Sequence, residues 1–394
     1  MLLKKSVFEL GLPCLYNLLI SLIKVYYMSA SLAMSFAPGV LPIKVEGERL
    51  LLVDQRKLPH EFCYFDASSH AQMVFAIKDM VVRGAPSIGV AAAFGLAFEA
   101  RRLANNMNEP SNPIEPNQTD FLHQFNQAKD ELNQTRPTAV NLRWATERMA
   151  KIAEVSFAQG LSSVEAARQI YSEAETILSE HLSANLAISQ YGSLLVQPGA
   201  RIIPHCNAGG LAACGYGTAL GVIRAAHFAA KNISVYVDET RPRNQGAKLT
   251  MWELAQDLVP STLVCDSMSG HLMSRGQIDM VITGADRIAL NGDSANKIGT
   301  YNLAVFAYYH KIPFYIAAPL STFDRNLEDG KTIPIEERDQ SEVLTIDGAP
   351  TSVPGAQAFN PGFDVTPAKL IAGIITEVGV LRPDYVASIS KALL

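Results

Sequence analysis

Apolar positions follow two regimes along the 394-residue chain. From His70 to about Val196 they recur at helical spacing; from Ala200 onward they gather in short runs separated by helical stretches. Ahead of the first regime, Leu50–Val53 and Cys63–Phe65 read as strands between turn residues. A long apolar helix is expected from Ser87 to about Leu103, with Pro86 in its first turn. Asn105–Asn117 is polar and proline-containing and reads as a loop, Thr135-Arg136-Pro137-Thr138 as a break, and Glu165 to about Gln190 as another helix.

In the second regime, strands are expected at Ala200–His205, Ile233–Val237, Thr262–Cys265, Met280–Thr283 and Pro313–Ala317. Helices are expected at Gly217–Ala230, Ala247–Leu258 and Ile298–His310. Alternating strands and helices predict a doubly wound parallel sheet. Thr366 and Pro367 look like the start of a closing helix over Thr366–Val378. The fold class is therefore α/β: a small N-terminal sheet plus helical bundle over residues 34–195, then a Rossmann-like domain over 196–394.

Residues 1–33 stand apart. Lys4 and Lys5 precede a mostly apolar run from Leu10 to Ile23, as in a signal peptide. The run is short for a membrane span, which needs about 20 apolar residues. The segment is read instead as an extension ahead of a start at Met34. Five cysteines with no CxxC pair argue for a reducing, cytoplasmic setting. A net charge of -5 offers no general attraction to nucleic acid.

Ligands of open α/β sheets bind beyond the carboxyl ends of the strands. Four polar clusters are expected there: Cys206-Asn207-Ala208-Gly209, Asp238 through Gly246, Gly284-Ala285-Asp286-Arg287 and Asn296-Lys297-Ile298-Gly299, the last opening a helix. Free cysteine is usually inert core, and Cys214 and Cys265 read that way. Cys206, flanked by asparagine and glycine at a strand mouth, reads as chemistry. Asp286 in an apolar pocket would have its pKa raised and could donate a proton, unless Arg287 pairs with it; the rival role is a turn or cap. Arg83-Gly84-Ala85 at a helix start, Arg136 and Lys297 are candidate anion ligands. Arg241 and Arg243 are expected to pair with Asp238 and Glu239, and His205 to be core. Gly215, Gly217 and Gly221 echo a dinucleotide fingerprint, but about ten residues too far from the strand. A nicotinamide-dependent dehydrogenase is therefore a remote alternative.

Taken together, several motifs resemble the methylthioribose-1-phosphate isomerase family. They are Arg83-Gly84-Ala85-Pro86-Ser87-Ile88-Gly89, Thr135 through Leu142, His205 through Gly209, Asp238 through Pro242, Gln245-Gly246-Ala247, Gly284 through Arg287, Asn296 through Thr300 and Asn360 through Pro367. The resemblance covers about Met34 to Leu381. It implies an aldose–ketose isomerase of methionine salvage that turns 5-methylthioribose 1-phosphate into 5-methylthioribulose 1-phosphate. It further implies a homodimer acting on a small phosphorylated sugar, with no cofactor, metal, nucleic acid or membrane. The catalytic pair would be Asp286, as proton donor, and Cys206, as base or stabiliser of the transition state. Substrate contacts would be Arg83, Gly84, Ala85, Arg136, Gln245, Asn296 and Lys297. Related alternatives are an isomerase of ribose 1,5-bisphosphate or 5-deoxyribose 1-phosphate, and a non-catalytic regulatory subunit of the eukaryotic translation-initiation exchange factor. The Cys206–Asp286 pair speaks against the last.

Overall fold

The computed structural model describes residues 40–107, 118–136 and 139–394. The extension over 1–33, the start at Met34, most of the expected Asn105–Asn117 loop and the Pro137-Thr138 pair lie outside the described residues.

The N-terminal half opens with an antiparallel meander of β1 (Ile43–Glu46), β2 (Arg49–Val53) and β3 (Tyr64–Asp66). Five helices follow: α1 (His70–Lys78), α2 (Ala85–Met107), α3 (Gln118–Thr135), α4 (Val140–Ala158) and α5 (Ser163–Ser193). Local chemistry starts two of them. Ser69 with Gln72, and Ser162 with Glu165, form reciprocal capping boxes that satisfy otherwise orphaned N–H groups. α2 is apolar on every face because other elements surround it. Its residues pack with Leu50, Met73, Phe121 and Phe125 in one core. Each such side chain contributes about 1.5–3 kcal/mol by leaving water. α2 runs through Met107, past the expected end near Leu103.

The C-terminal half is built on a seven-stranded sheet. Its strands are β4 (Arg201–Pro204), β5 (Ser234–Asp238), β6 (Ser261–Val264), β7 (Met280–Thr283), β10 (Phe314–Ala317), β14 (Gly373–Thr376) and β15 (Gly379–Leu381). The order is β15-β14-β10-β7-β4-β5-β6, parallel except for β15. The helices between them are α6 (Gly210–Ala213), α7 (Ala219–Phe228), α8 (Met251–Gln256), α9 (Ser269–Ser274) and α10 (Thr300–Tyr309). One face of the sheet buries Val222, Ile223 and Leu254, and the other buries Phe314, Leu303 and Ile389. α5 packs along α7 and reaches the sheet, so Ile188 belongs to the sheet's core.

The order reverses between β4 and β7. From β4 the chain steps outward to β5 and β6, then returns to the other side of β4 as β7. Such a reversal leaves a crevice at the carboxyl ends of the two strands. β4 and β7 pair in register, Ile203 with Val281 and Pro204 with Ile282. Cys206 follows one strand end and Asp286 the other.

Several expectations need correction. Thr366–Val378 is not a helix: Thr366 ends β13 (Phe363–Thr366), and Gly373–Leu381 is the β14–β15 hairpin. The β-branched pair Ile374 and Ile375 is buried in the sheet, and this outweighs the local Thr-Pro start signal. The closing helix is α12 (Tyr385–Ala392), capped by Asp384; α11 (Ser341–Leu344) lies in the preceding excursion. Asn296 and Lys297 do not open a helix but end β9 (Ser294–Lys297), which pairs with β13 and with β8 (Arg287–Ile288). Between Gly246 and Thr250 a π-type turn precedes α8. A short hairpin of β11 (Thr345–Ile346) and β12 (Ala349–Pro350) completes the strands.

Candidate active site

A cleft lies at the β4–β7 reversal. Cys206, Asp286, Arg83, Gly84, Ala85, Arg136, Gln245, Asn296 and Lys297 all line it. The N-terminal half supplies Arg83 to Ala85 from the start of α2, and Arg136 from the α3–α4 break. The segments after β4, β5 and β7 supply Cys206, Gln245 and Asp286, and β9 of the smaller sheet supplies Asn296 and Lys297.

Cys206 has φ 58°, a left-handed conformation that costs an ordinary residue roughly 1–2 kcal/mol. Two threonines hold it there. Cys206 N donates to Thr240 Oγ1 at 2.8 Å, and Thr250 Oγ1 donates to the Cys206 carbonyl at 2.6 Å. The thiol is buried at the cleft wall. Cys214 is buried too, but packs on Ser87, and burial pushes its thiol up to about 12.

Asp286 is half-buried, its backbone N–H bonded to Ala295 O at 2.9 Å. Arg287 forms an ion pair with Asp324 at 3.4 Å. The charge of Asp286 acts on Arg83, Arg136 and Lys297 across the cleft.

Gly84, with φ +94°, lets α2 begin against α6; a Cβ there would sit 2.5 Å from the Ala212 Cα. Ser87 fastens the same contact, donating to Leu211 O and accepting from Cys214 N. Arg83 donates from Nη1 to Asn207 O at 3.2 Å and from Nη2 to Asn207 Oδ1. Burial lowers its pKa, against the charges of Cys206, Glu253 and Asp286. Burial lowers that of Arg136 as well, with the charge of Arg338 adding to the effect. The Nε atoms of Arg83 and Arg136 and the Oε1 of Gln245 are buried without a hydrogen-bond partner. Such atoms are costly to leave unpaired, so a polar ligand is the natural completion.

Lys297 donates to Gly362 O at 2.6 Å and lies 4.2 Å from the Phe363 ring centroid. Burial, then Arg338, push its ammonium down to about 8, against the charges of Cys206 and Asp286. Asn296 donates to Thr300 Oγ1 at 2.9 Å.

Some of the wiring was not foreseen. His205 is buried as expected, but it is bonded rather than passive: Nδ1 lies 3.2 Å from Asp238 Oδ2 and Nε2 lies 2.8 Å from Ile298 O. Burial works against its imidazolium, but the Asp238 bond and charge outweigh this and raise its pKa. Ligand atoms of His205, Asp238 and Asp266 lie within 4.8 Å of one another. Asp266, however, accepts from Thr240 N and Arg241 N, while both His205 nitrogens are engaged. This cluster is a hydrogen-bond network and does not fit an ion. Asp238 is taken by His205 and Ser269. Arg241 instead donates to Val343 O at 2.8 Å, and Arg243 pairs with Glu342 at 2.8 Å, correcting the expected partners. Glu253 accepts from Asn207, Gly210 and Arg224 beneath the loop after β4. Arg338 and Phe363 also line the cleft. Phe363 falls inside a recognised motif, whereas Arg338 sits in an ordinary-looking charged run, Glu336-Glu337-Arg338-Asp339, with nothing to mark it.

A cation-rich cleft with a thiol and a carboxyl at the reversal of a doubly wound sheet defines an α/β enzyme for a small anionic substrate. Residues 81–383 match the family model described as the initiation factor 2 subunit family. The chain belongs to that family and, within it, to the methylthioribose-1-phosphate isomerases. The enzyme of that name from Caldicellulosiruptor saccharolyticus is 50% identical over 346 residues, 88% of this chain and 97% of the relative. That from Geobacter metallireducens is 49% identical over 351 residues, covering 89% and 98%. Among solved structures, 5-methylthioribose 1-phosphate isomerase from Pyrococcus horikoshii superposes with a TM-score of 0.82 at 41% identity, covering 91% of this chain and 97% of that one. The translation initiation factor eIF-2B delta subunit from A. fulgidus gives 0.77 at 38% identity, covering 90% and 99%.

Proposed function

We propose that this protein interconverts 5-methylthioribose 1-phosphate and 5-methylthioribulose 1-phosphate, the aldose–ketose step of methionine salvage. The observation that carries this reading is the convergence of Cys206 and Asp286 on one cleft, ringed by Arg83, Arg136 and Lys297. We further propose two domains, 34–195 and 196–394, a homodimer and a cytoplasmic location. The free thiols of Cys63, Cys206, Cys214 and Cys265 fit a reducing compartment. No cofactor, metal, nucleic acid or membrane enters this reading.

The chemistry follows from the substrate. Phosphate on the anomeric carbon prevents the spontaneous ring opening of a free hemiacetal. Arg83, Arg136, Lys297 and the N–H groups at the start of α2 hold the phosphate. Asp286 gives its proton to the ring oxygen, and the bond from that oxygen to C1 breaks. One hydrogen then moves from C2 to C1, and the C2 hydroxyl loses its proton to become the ketone. If the hydrogen moves as a proton, Cys206 takes it from C2 and returns it to C1 through an enol. If it moves as a hydride, Cys206 stabilises the passing charge. On either route Asp286, now a carboxylate, recovers a proton from the C2 hydroxyl.

The experiment is turnover of the purified chain on a panel of 1-phosphorylated pentoses. Conversion of 5-methylthioribose 1-phosphate in preference to ribose 1,5-bisphosphate and 5-deoxyribose 1-phosphate supports the reading. A preference for either competitor reassigns the substrate. Absence of turnover on every sugar favours the regulatory role suggested by the eIF-2B delta relative.

A further inference from the structure

Between β10 and β14 the chain leaves the sheet on a long excursion, and this excursion delivers a side chain to the cleft. Arg338 N bonds to Asn360 O at 2.9 Å, and Gly362 N bonds to Glu336 O at 2.7 Å. The strip Glu336–Arg338 therefore runs beside Asn360–Gly362. The next residue, Phe363, pairs across β13 and β9 with Lys297. This ladder fixes Arg338 beside Lys297, with the Arg338 guanidinium 5.4 Å from the centroid of the same Phe363 ring. Arg241 and Arg243 latch the excursion to the mouth of β5 through Val343 and Glu342.

The charges around Arg338 do not balance. Its carboxylate partner is Glu336, at 3.2 Å from Nε. The same carboxylate is also the ion-pair partner of Arg136, at 3.9 Å. Glu336 thus serves two guanidinium groups, with the Lys297 ammonium alongside; Asp286, across the cleft, and Glu342, already paired with Arg243, are the other carboxylates whose charges reach the group. Burial first, and then the charge of Arg338, depress the pKa of both Arg136 and Lys297, as crowded cations do. Such crowding in a largely buried place is costly unless an anion joins it. Arg136 Nε is buried without a partner at the same spot.

We propose that Arg338 is a further substrate-binding residue, a ligand for the phosphate, held in place by Phe363 and Glu336. This rests on the reading that the cleft takes a phosphorylated sugar. Arg338 adds a forked donor to those of Arg83 and Arg136. The arrangement also assigns a purpose to the latch: Arg241 and Arg243 position the excursion that carries this ligand.

The test compares the full-length wild type with Arg338→Met and Arg338→Lys. Loss of a charge-assisted bond predicts a rise of roughly 10- to 150-fold in KM for 5-methylthioribose 1-phosphate in Arg338→Met, with kcat little changed. The dissociation constant for inorganic phosphate, measured by titration, rises in parallel. Arg338→Lys, which keeps a stem and a charge beside Glu336, falls between and guards against a folding defect in the methionine variant. Wild-type KM in both variants overturns the proposal. If the wild type itself does not turn over the sugar phosphate, the functional reading fails. Phosphate titration then decides Arg338 alone, and equal binding by wild type and variants rejects it.

Discussion

Arg83 reaches across 124 residues of sequence to grip Asn207, donating to both its backbone and side-chain oxygens. One bonded pair thus joins the start of α2 to the loop after β4, directly beside Cys206. It makes Arg83 a tie between the halves of the chain, beside the role of phosphate ligand proposed for it. Arg83→Lys keeps the charge but loses the fork. Each charge-assisted bond lost costs about 1.5–3 kcal/mol, so kcat/KM should fall roughly 10- to 150-fold. Because Asn207 also loses its partner, the melting temperature should fall as well. Steady-state kinetics and thermal unfolding on the same sample check both, and an unchanged melting temperature would remove the structural role.

Cys206→Ser and Asp286→Asn should fold and lose turnover. Neither change disturbs the backbone bonds that Thr240, Thr250 and Ala295 make at these positions. Circular dichroism and turnover, measured together, test this. A near-wild-type rate in Cys206→Ser would take the thiol out of the mechanism. Running the reaction in heavy water tests the proton route: deuterium at C1 of the product marks a proton that passed through Cys206 and exchanged with solvent, an outcome the hydride path does not give.

The pH profile should carry the signature of Lys297. Its ammonium titrates near 8, lowered by burial, Arg338 and Arg136, and partly restored by Cys206 and Asp286. Below that pH the charged form attracts the phosphate; above it the neutral form does not. kcat/KM should therefore fall on the alkaline side of about 8. Bound phosphate favours the charged form, so the corresponding limb in kcat should lie at higher pH. Lys297→Met should abolish the limb along with most of the activity.

Glu253 is the buried node under the site, accepting from Asn207 Nδ2 at 2.7 Å, Gly210 N at 2.7 Å and Arg224 Nη2 at 3.2 Å. Glu253→Ala leaves Gly210 N without its acceptor and removes one of the two carboxylates on Arg224, which keeps Asp257, and should destabilise the fold by about 1–3 kcal/mol. Denaturant unfolding measures this. Glu253→Gln keeps the shape and some of the bonds, and should lose less.

The sequence by itself determined the core strands β4, β5, β6, β7 and β10, and it picked out residues that line one cleft. Apolar periodicity sets strand and helix locally, and glycine- and asparagine-rich ends mark where strands meet ligand. Tertiary structure decided the rest, because the missing information is long-range. Nothing local says that β7 returns beside β4, yet that pairing puts Cys206 and Asp286 on one crevice. Asn296 and Lys297 resembled a helix start because their strand partner, β13, lies far along the chain. Thr366-Pro367 resembled a helix start too, until burial of Ile374 and Ile375 in the sheet outweighed it. Arg241 and Arg243 had acidic neighbours in sequence but found Val343 and Glu342 in space. Arg338, anonymous within a charged run, became a cleft residue only through the ladder that sets it beside Lys297. Hydrogen bonding and burial reward partners by distance in space, and for these residues folding alone brings the partners together.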